Sequence, residues 1–452
     1  MNMNNNRKMI DITLYGIAAM FFLLVITEGC ARNDETPSSL RPITETNTTI
    51  AILPRETNAP SSTPRATLPT EIFTETPLPP TNTPPPTNSN QLLGRNSIVI
   101  MELGWDRYYL LDLDTGYMRM LGHQEEFSPV RVLSWTGNGC DMVVLTGYSK
   151  WSNQEILRVD LQGNILQNLL SFEPSKIIGF ISLSPSEEWI AYRLSEGEAL
   201  GGYDVIFEYE NIEVISANGE LGPYRLTHGN GGREVAWAPD STRLAYGDFD
   251  ENGVPQLYVS NLDGSGRVQL TQFVDPLVDI LNIRWSPDGE RIAFAYDRLG
   301  NISPMEPRKT DVMVIPSDNN ELPTIADQVY QTYSLWWQGN DTLVVWGYKD
   351  THGSTSAANE LLFWVNSGTG QVTEFLEADT TPGGYMEITH PFGSSSRIGF
   401  FTAGRFYSYD PISGEFQTWD NVNLRNYVRG SFIIRDWISA PSSFQGEAAC
   451  QP

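Results

Sequence analysis

The chain has 452 residues and a formal charge of −26, from 29 Lys and Arg against 55 Asp and Glu. That excess of acid excludes nucleic acid and anionic lipid surfaces as principal ligands. Three cysteines are too few for a small disulfide-stapled fold, while 40% apolar and 11% aromatic residues supply a sizeable core.

Residues 1–29 read as a targeting segment. Asn4–Asn6, Arg7 and Lys8 make a polar, basic start, and Ile12–Ile26 is an uncharged apolar run. It is short for a membrane span of about 20 residues. Gly29 and Cys30 follow, so the segment resembles a bacterial lipoprotein signal, although Thr27 and Glu28 depart from that pattern. The resemblance implies lipidation of Cys30 and an extracytoplasmic, membrane-anchored chain. An uncleaved anchor and plain secretion are the alternatives.

Residues 30–95 hold 12 of the 29 prolines and 14 threonines. Such a segment buries too little apolar surface to offset its chain entropy, and proline biases it toward polyproline II. It reads as a disordered tether, able to span up to ~200 Å when fully extended.

From residue 96 the chain is periodic. Val235-AWAPDSTRLAYGDF and Ile283-RWSPDGERIAFAYD each show a strand ending in Trp, a tight turn and a second alternating strand. Ile181-SLSPSEEWIAYRL is a third copy with Leu183 in place of Trp. Weaker copies centre on Trp135, Trp337 and Thr389, giving spacings of 48 to 54 residues. Each unit continues with two more strands joined by a Gly or Asn turn. Alternation of period two broken by D-G, N-G and G-x-G marks antiparallel hairpins, and four strands per unit of this length make a propeller blade. Ser97, Arg107 and Tyr117 open only three strands before the first full unit, and Tyr427-VRGSFIIRDW supplies one after the last. A C-terminal strand that completes the first blade gives an all-β, seven-bladed propeller over 96–438 and a tail over 439–452. Six blades is the alternative.

The residues W-[SA]-P-D followed by R-[IL]-A-[FY] resemble the TolB-like (PD40, WD40-like) β-propeller repeats, which also occur in prolyl oligopeptidase-type peptidases. The resemblance implies a fold and little about function, since such propellers serve as platforms and as enzymes. No G-x-S-x-G accompanies it, which argues against a covalent peptidase.

Strand order orients the ring. Turns between first and second and between third and fourth strands share one face with both chain ends; loops between blades and between second and third strands make the other. Cys140 and Cys450 fall together on the first of these, the turn face, and a Cys140–Cys450 disulfide is expected in an oxidising compartment.

The opposite, loop face gathers the candidate ligand residues. Long loops at Ser195–Asn211, Asp297–Thr310 and Tyr348–Asn359 are rich in acid. Trp105, Trp151, Tyr203 and Tyr348 join Asp248, Asp250, His228 and His352 there. Exposed aromatics with carboxylates suit a glycan, a cationic peptide or a partner protein; Trp105 and Trp151 read equally well as covers of hairpin ends. Asp248-F-D-E-N-G begins like a calcium loop, but its twelfth position is Val259, so it reads as a hairpin turn. No ligand set of histidines is visible within one loop, so neither a metal site nor another cofactor is assigned.

The expectation is a monomeric, tethered binding or scaffold module of the cell envelope rather than an enzyme, its partner an envelope protein or extracellular glycan or peptide. The alternative is a metal-dependent polysaccharide lyase or glycosidase on a propeller. Residues 1–30 balance in charge and the linker carries −1, so −25 belongs to the propeller and its tail.

Overall fold

The computed structural model describes residues 66–67, 91–102, 107–121, 129–147, 153–173, 176–200, 204–227, 234–298, 310–318, 324–326, 331–348, 360–377, 388–392, 397–402, 405–422, 424 and 434–450. They form seven antiparallel sheets of four propeller strands each. The innermost strands, in blade order, are Ile434–Ser439, Pro129–Trp135, Lys176–Leu183, Val235–Trp237, Val278–Trp285, Gln331–Gln338 and Ile388–Phe392. First strands of most successive blades approach one another, which places them around a common axis.

Blade 1 closes the ring. Ile434–Ser439 pairs antiparallel with Ser97–Glu102, from Ile98 opposite Ser439 to Glu102 opposite Ile434. Joining the two ends of the chain within one sheet removes the open seam that would otherwise expose unpaired backbone. All three weak repeats are blades, so the count is seven.

Register corrects one anchor. The repeat tryptophan pairs with the second residue of the next strand, as Trp237 with Leu244 and Trp285 with Ile292. In blade 7 the residue opposite Ile398 is Pro391, so Pro391 and not Thr389 holds this position. In blade 1 it is Ser439, opposite Ile98.

The repeat residues have separable jobs. Each tryptophan packs against the preceding blade, and its indole N–H donates to that blade's inner strand: Trp135 to the Ile438 carbonyl at 3.4 Å, Trp237 to Ser182 at 3.3 Å, Trp285 to Ala236 at 3.0 Å and Trp337 to Arg284 at 3.1 Å. The repeat arginine reaches the next blade's indole, with Arg243 5.0 Å from the Trp285 ring and Arg291 5.5 Å from that of Trp337. In the turn between them, Asp288 accepts from the Ser286 hydroxyl and the Glu290 amide. These bonds hold its carboxyl below the ordinary range, the Ser286 hydroxyl foremost. Gly289, with φ 75°, takes the left-handed step of the turn, a conformation open to glycine at little cost.

Chain ahead of Ser97 joins this packing. Leu93 is buried beside Phe444 in the core between blades 1 and 2. Further upstream, Ala66–Thr67 runs parallel to Leu376 and Glu377, on the outer edge of blade 6.

Candidate binding face

Among the described residues, the loop face is best defined at blades 4 and 5. Arg243–Phe249 and Pro255–Asn261 are joined by a tight turn whose organiser is Asp250: its Oδ1 accepts from the Asn252 and Val254 amides at 2.8 and 2.9 Å. The Val254 amide is the largest influence holding the Asp250 carboxyl below its ordinary range. Gln256, buried, bridges this turn to the segment between the blades. Its amide nitrogen donates to Asp250 Oδ2 and to the Phe273 carbonyl, and its oxygen accepts from the Phe273 amide and the Thr271 hydroxyl. Phe273 then packs on Tyr296 of blade 5 at 4.4 Å.

That frame holds three apolar side chains in solvent: Phe249 is 40% exposed, Val274 89% and Leu277 56%. Glu251 is exposed in the same turn, and Asp275 sits between Val274 and Leu277. Scattered exposed aliphatics are ordinary. Here three belong to two segments tied by one buried amide, with acids interleaved.

Two sequence expectations change. Asp248 does not stand open on the loop face: it is buried, and its Oδ2 accepts from Arg267 at 2.8 Å, with the guanidinium 3.9 Å from the Tyr258 ring centre. A strand residue next to a turn is easily mistaken for the turn when its partner is 19 positions away. Ser195–Asn211 is not an open loop either. Trp189–Leu200 and Asp204–Ser216 stay paired out to Leu200 opposite Asp204, while the inner strand leaves them at Lys176 opposite Glu196. A register shift between Glu196 and Gly197 accommodates the extension, so blade 3 carries an elongated hairpin on this face.

Cys30, Trp105, Trp151, Tyr203, His228 and His352 lie outside the described residues. Tyr348 ends the second strand of blade 6, opposite Gln331 and Glu360, at the loop-face end. The described histidine, His390, is partly buried in the inner strand of blade 7 opposite Gly399. Among the described residues no three His, Cys, Asp or Glu side chains gather as a metal site. The apolar trio was missed by sequence reading, though Phe273-V-D-P-L-V in a between-blade segment was the available signal.

On the turn face the C-terminal tail is built into the ring. The structure bonds Cys140 to Cys450, with Cα atoms 5.3 Å apart. Phe444 is fully buried against Trp135 at 5.5 Å and against Gly139, where a Cβ would fall 2.6 Å from it. Glu447, 1% exposed, accepts from the Leu93 amide, from both terminal nitrogens of Arg119 and from Gln162. The tail therefore seals the junction of blades 1 and 2.

The architecture defines the class, a closed seven-bladed β-propeller. Its repeats are TolB-like: over 129 residues the chain is 27% identical to the Tol-Pal system protein TolB of Alcanivorax borkumensis, a match covering 25% of this chain and 29% of that relative. The chain thus matches less than a third of that relative's length. No protein-family model matches. Solved structures with some likeness include TolB from Acinetobacter baumannii, 16% identical over 62% of this chain and 63% of that one, TM-score 0.38. Puromycin hydrolase is 13% identical over 72% and 52%, TM-score 0.48, and oligogalacturonate lyase from Vibrio parahaemolyticus 12% over 69% and 91%, TM-score 0.45. Likeness at that level says nothing about activity. Among the described residues no helix is long and apolar enough to cross a membrane.

Proposed function

We propose that this chain is a binding module of the cell envelope, held outside the cytoplasmic membrane by a lipid on Cys30 and the Thr/Pro-rich tether, and that its loop face engages an envelope protein. The observation that carries the reading is the sequence match to a protein of the Tol-Pal system. The acidic, apolar-studded surface at Phe249, Val274 and Leu277 supports it, because such a surface suits a partner with basic and apolar side chains. The tail and the segment that enters blade 1 at Leu93 both lie on the turn face, and a tether attached there would leave the loop face pointing away from the membrane.

Two measurements test the two halves. Metabolic labelling with a radioactive fatty acid is expected to mark the chain, and Cys30→Ala to abolish the label and release the protein from membranes. Absence of label in the unaltered chain removes the tether. Site-specific crosslinkers at Glu251 and Asp275 are expected to capture one defined envelope protein in living cells, in yields that fall when Val274→Lys and Leu277→Lys are added. Equal capture from control sites on the outer strand of blade 2 removes the loop-face assignment.

A further inference from the structure

Blade 3 lacks the repeat tryptophan, and the structure has a cleft at the place that tryptophan would fill. The cleft, about 150 Å³, opens on the turn face between blades 2 and 3 and is lined among others by Thr136, Val143, Arg158, Leu169, Leu183 and Glu187. Register makes the equivalence explicit. Leu183 lies opposite Ile190 as Trp285 lies opposite Ile292. Thr136 follows Trp135 as Ala238 follows Trp237, and Val143 pairs with Arg158 as Ala245 pairs with Val259. Ala238, Ala245 and Val259 share a core cluster with Trp285. The cleft walls on blade 2 are thus the counterparts of the residues that enclose an indole on blade 4.

Blade 7, which also lacks the tryptophan, fills the space differently. Between blades 6 and 7, Trp364 packs on Phe375 at 4.8 Å and Tyr409 on Phe416 at 4.6 Å. Between blades 2 and 3, by contrast, Leu133, Leu169, Ile181, Leu183 and Ala217 are only partly buried.

The cationic wall is also retained by other means. Arg243 and Arg291 approach the indoles of the next blades from the first position of the second strand. In blade 2 that position is Asp141, whose Oδ2 holds the Arg158 guanidinium at 2.8 Å, and Arg158 lines the cleft. An open cleft of roughly 150 Å³, with Val143, Leu169, Leu183 and Ala217 on its apolar side and Gln167, Glu187 and Asn218 on its polar side, has the volume of a benzene ring, and a guanidinium at its wall favours an aromatic face.

We infer that this cleft is a receptor for the tryptophan side chain of a partner protein, which would occupy it as the chain's own tryptophans occupy the equivalent slots. The site is on the turn face, so it is independent of the loop-face reading above. The template for its occupant is internal to the molecule: an indole flat against Val143 and Leu169, beside Arg158.

The test uses the full chain with two probes, free indole and N-acetyltryptophanamide, followed by saturation-transfer NMR and methyl spectra. Both probes are expected to bind with Kd on the order of 1 mM and to shift the methyl signals of Val143, Leu169 and Leu183. Leu183→Trp is expected to raise the melting temperature and weaken both probes by about tenfold or more, while Leu183→Met keeps them. Unmoved methyls in the unaltered chain overturn the proposal without reference to any variant. So does undiminished binding to a folded Leu183→Trp protein. Binding of indole without the amide overturns the assignment to a protein side chain.

Discussion

Arg119 and Glu447, 328 positions apart in the chain, meet at 2.7 Å between Met118–Met120, the outermost strand of blade 1, and the C-terminal tail, with the carboxylate almost wholly buried. The pair fixes the tail over the junction where the ring closes. A buried charge that loses its partner is costly because nothing replaces the water it left. Glu447→Ala is expected to destabilise the protein by about 3–5 kcal/mol, read from urea unfolding. A loss below about 1 kcal/mol, the range of exposed pairs, would show that the tail is not held by this contact.

The Cys140–Cys450 bond closes a loop of 310 residues on the same seam. Cross-links act chiefly on the unfolded chain, and removal is expected to cost about 2–4 kcal/mol. Cys450→Ser, and reduction of the unaltered protein, should lower the melting temperature by the same amount. Alkylation under denaturing conditions should add two labels at these cysteines only after reduction; labels without reductant would mean free thiols.

The indole latches predict a graded series. Trp285→Phe removes the bond to the Ala236 carbonyl, leaves a ring in the slot, and should cost about 1–2 kcal/mol. Trp285→Leu copies blade 3 and should cost about 2–4 kcal/mol through the cavity it opens. If the leucine variant also begins to shift on addition of indole, the slot has been reproduced at a second junction. Equal stabilities for both variants would remove the latch from the account.

Glu234 gives a pH dependence. It lies just ahead of the inner strand of blade 4, where its Oε2 accepts from the Ile283 amide at 3.3 Å. Burial raises its pKa, opposed by Arg284 and the Ile283 and Asn282 amides and assisted by Asp279. A raised carboxyl pKa in the folded state means that the unfolded chain ionises first as pH rises. Its contribution is therefore full below the unfolded pKa and is lost as pH climbs through the folded one. Glu234→Gln should remove this decline and leave the protein at least as stable at pH 7, measured by unfolding from pH 4 to 8. A variant less stable than the parent across that range would show that the charged form is the one the fold favours.

Much of this molecule follows from local pattern. Period-two alternation, the W-[SA]-P-D turn and the spacing of the copies specify strands, hairpins and seven units, because each rests on contacts between residues close in sequence. The missing strand of blade 1 was legible by counting, and Leu183 stood out against the tryptophans. What the sequence left open are relationships across long separations. Asp248 is buried against Arg267 because the fold brings the two together, not because either residue announces it. The 195–211 segment stays paired because its register shifts once and continues. Gln256 ties the segments that carry Phe249, Val274 and Leu277, and only the fold shows that the slot beside Leu183 was left unfilled while the one at blade 7 was closed with other rings. Turn chemistry is local and can be read along the chain; the filling of a space between two blades depends on both walls, and those meet only when the ring closes.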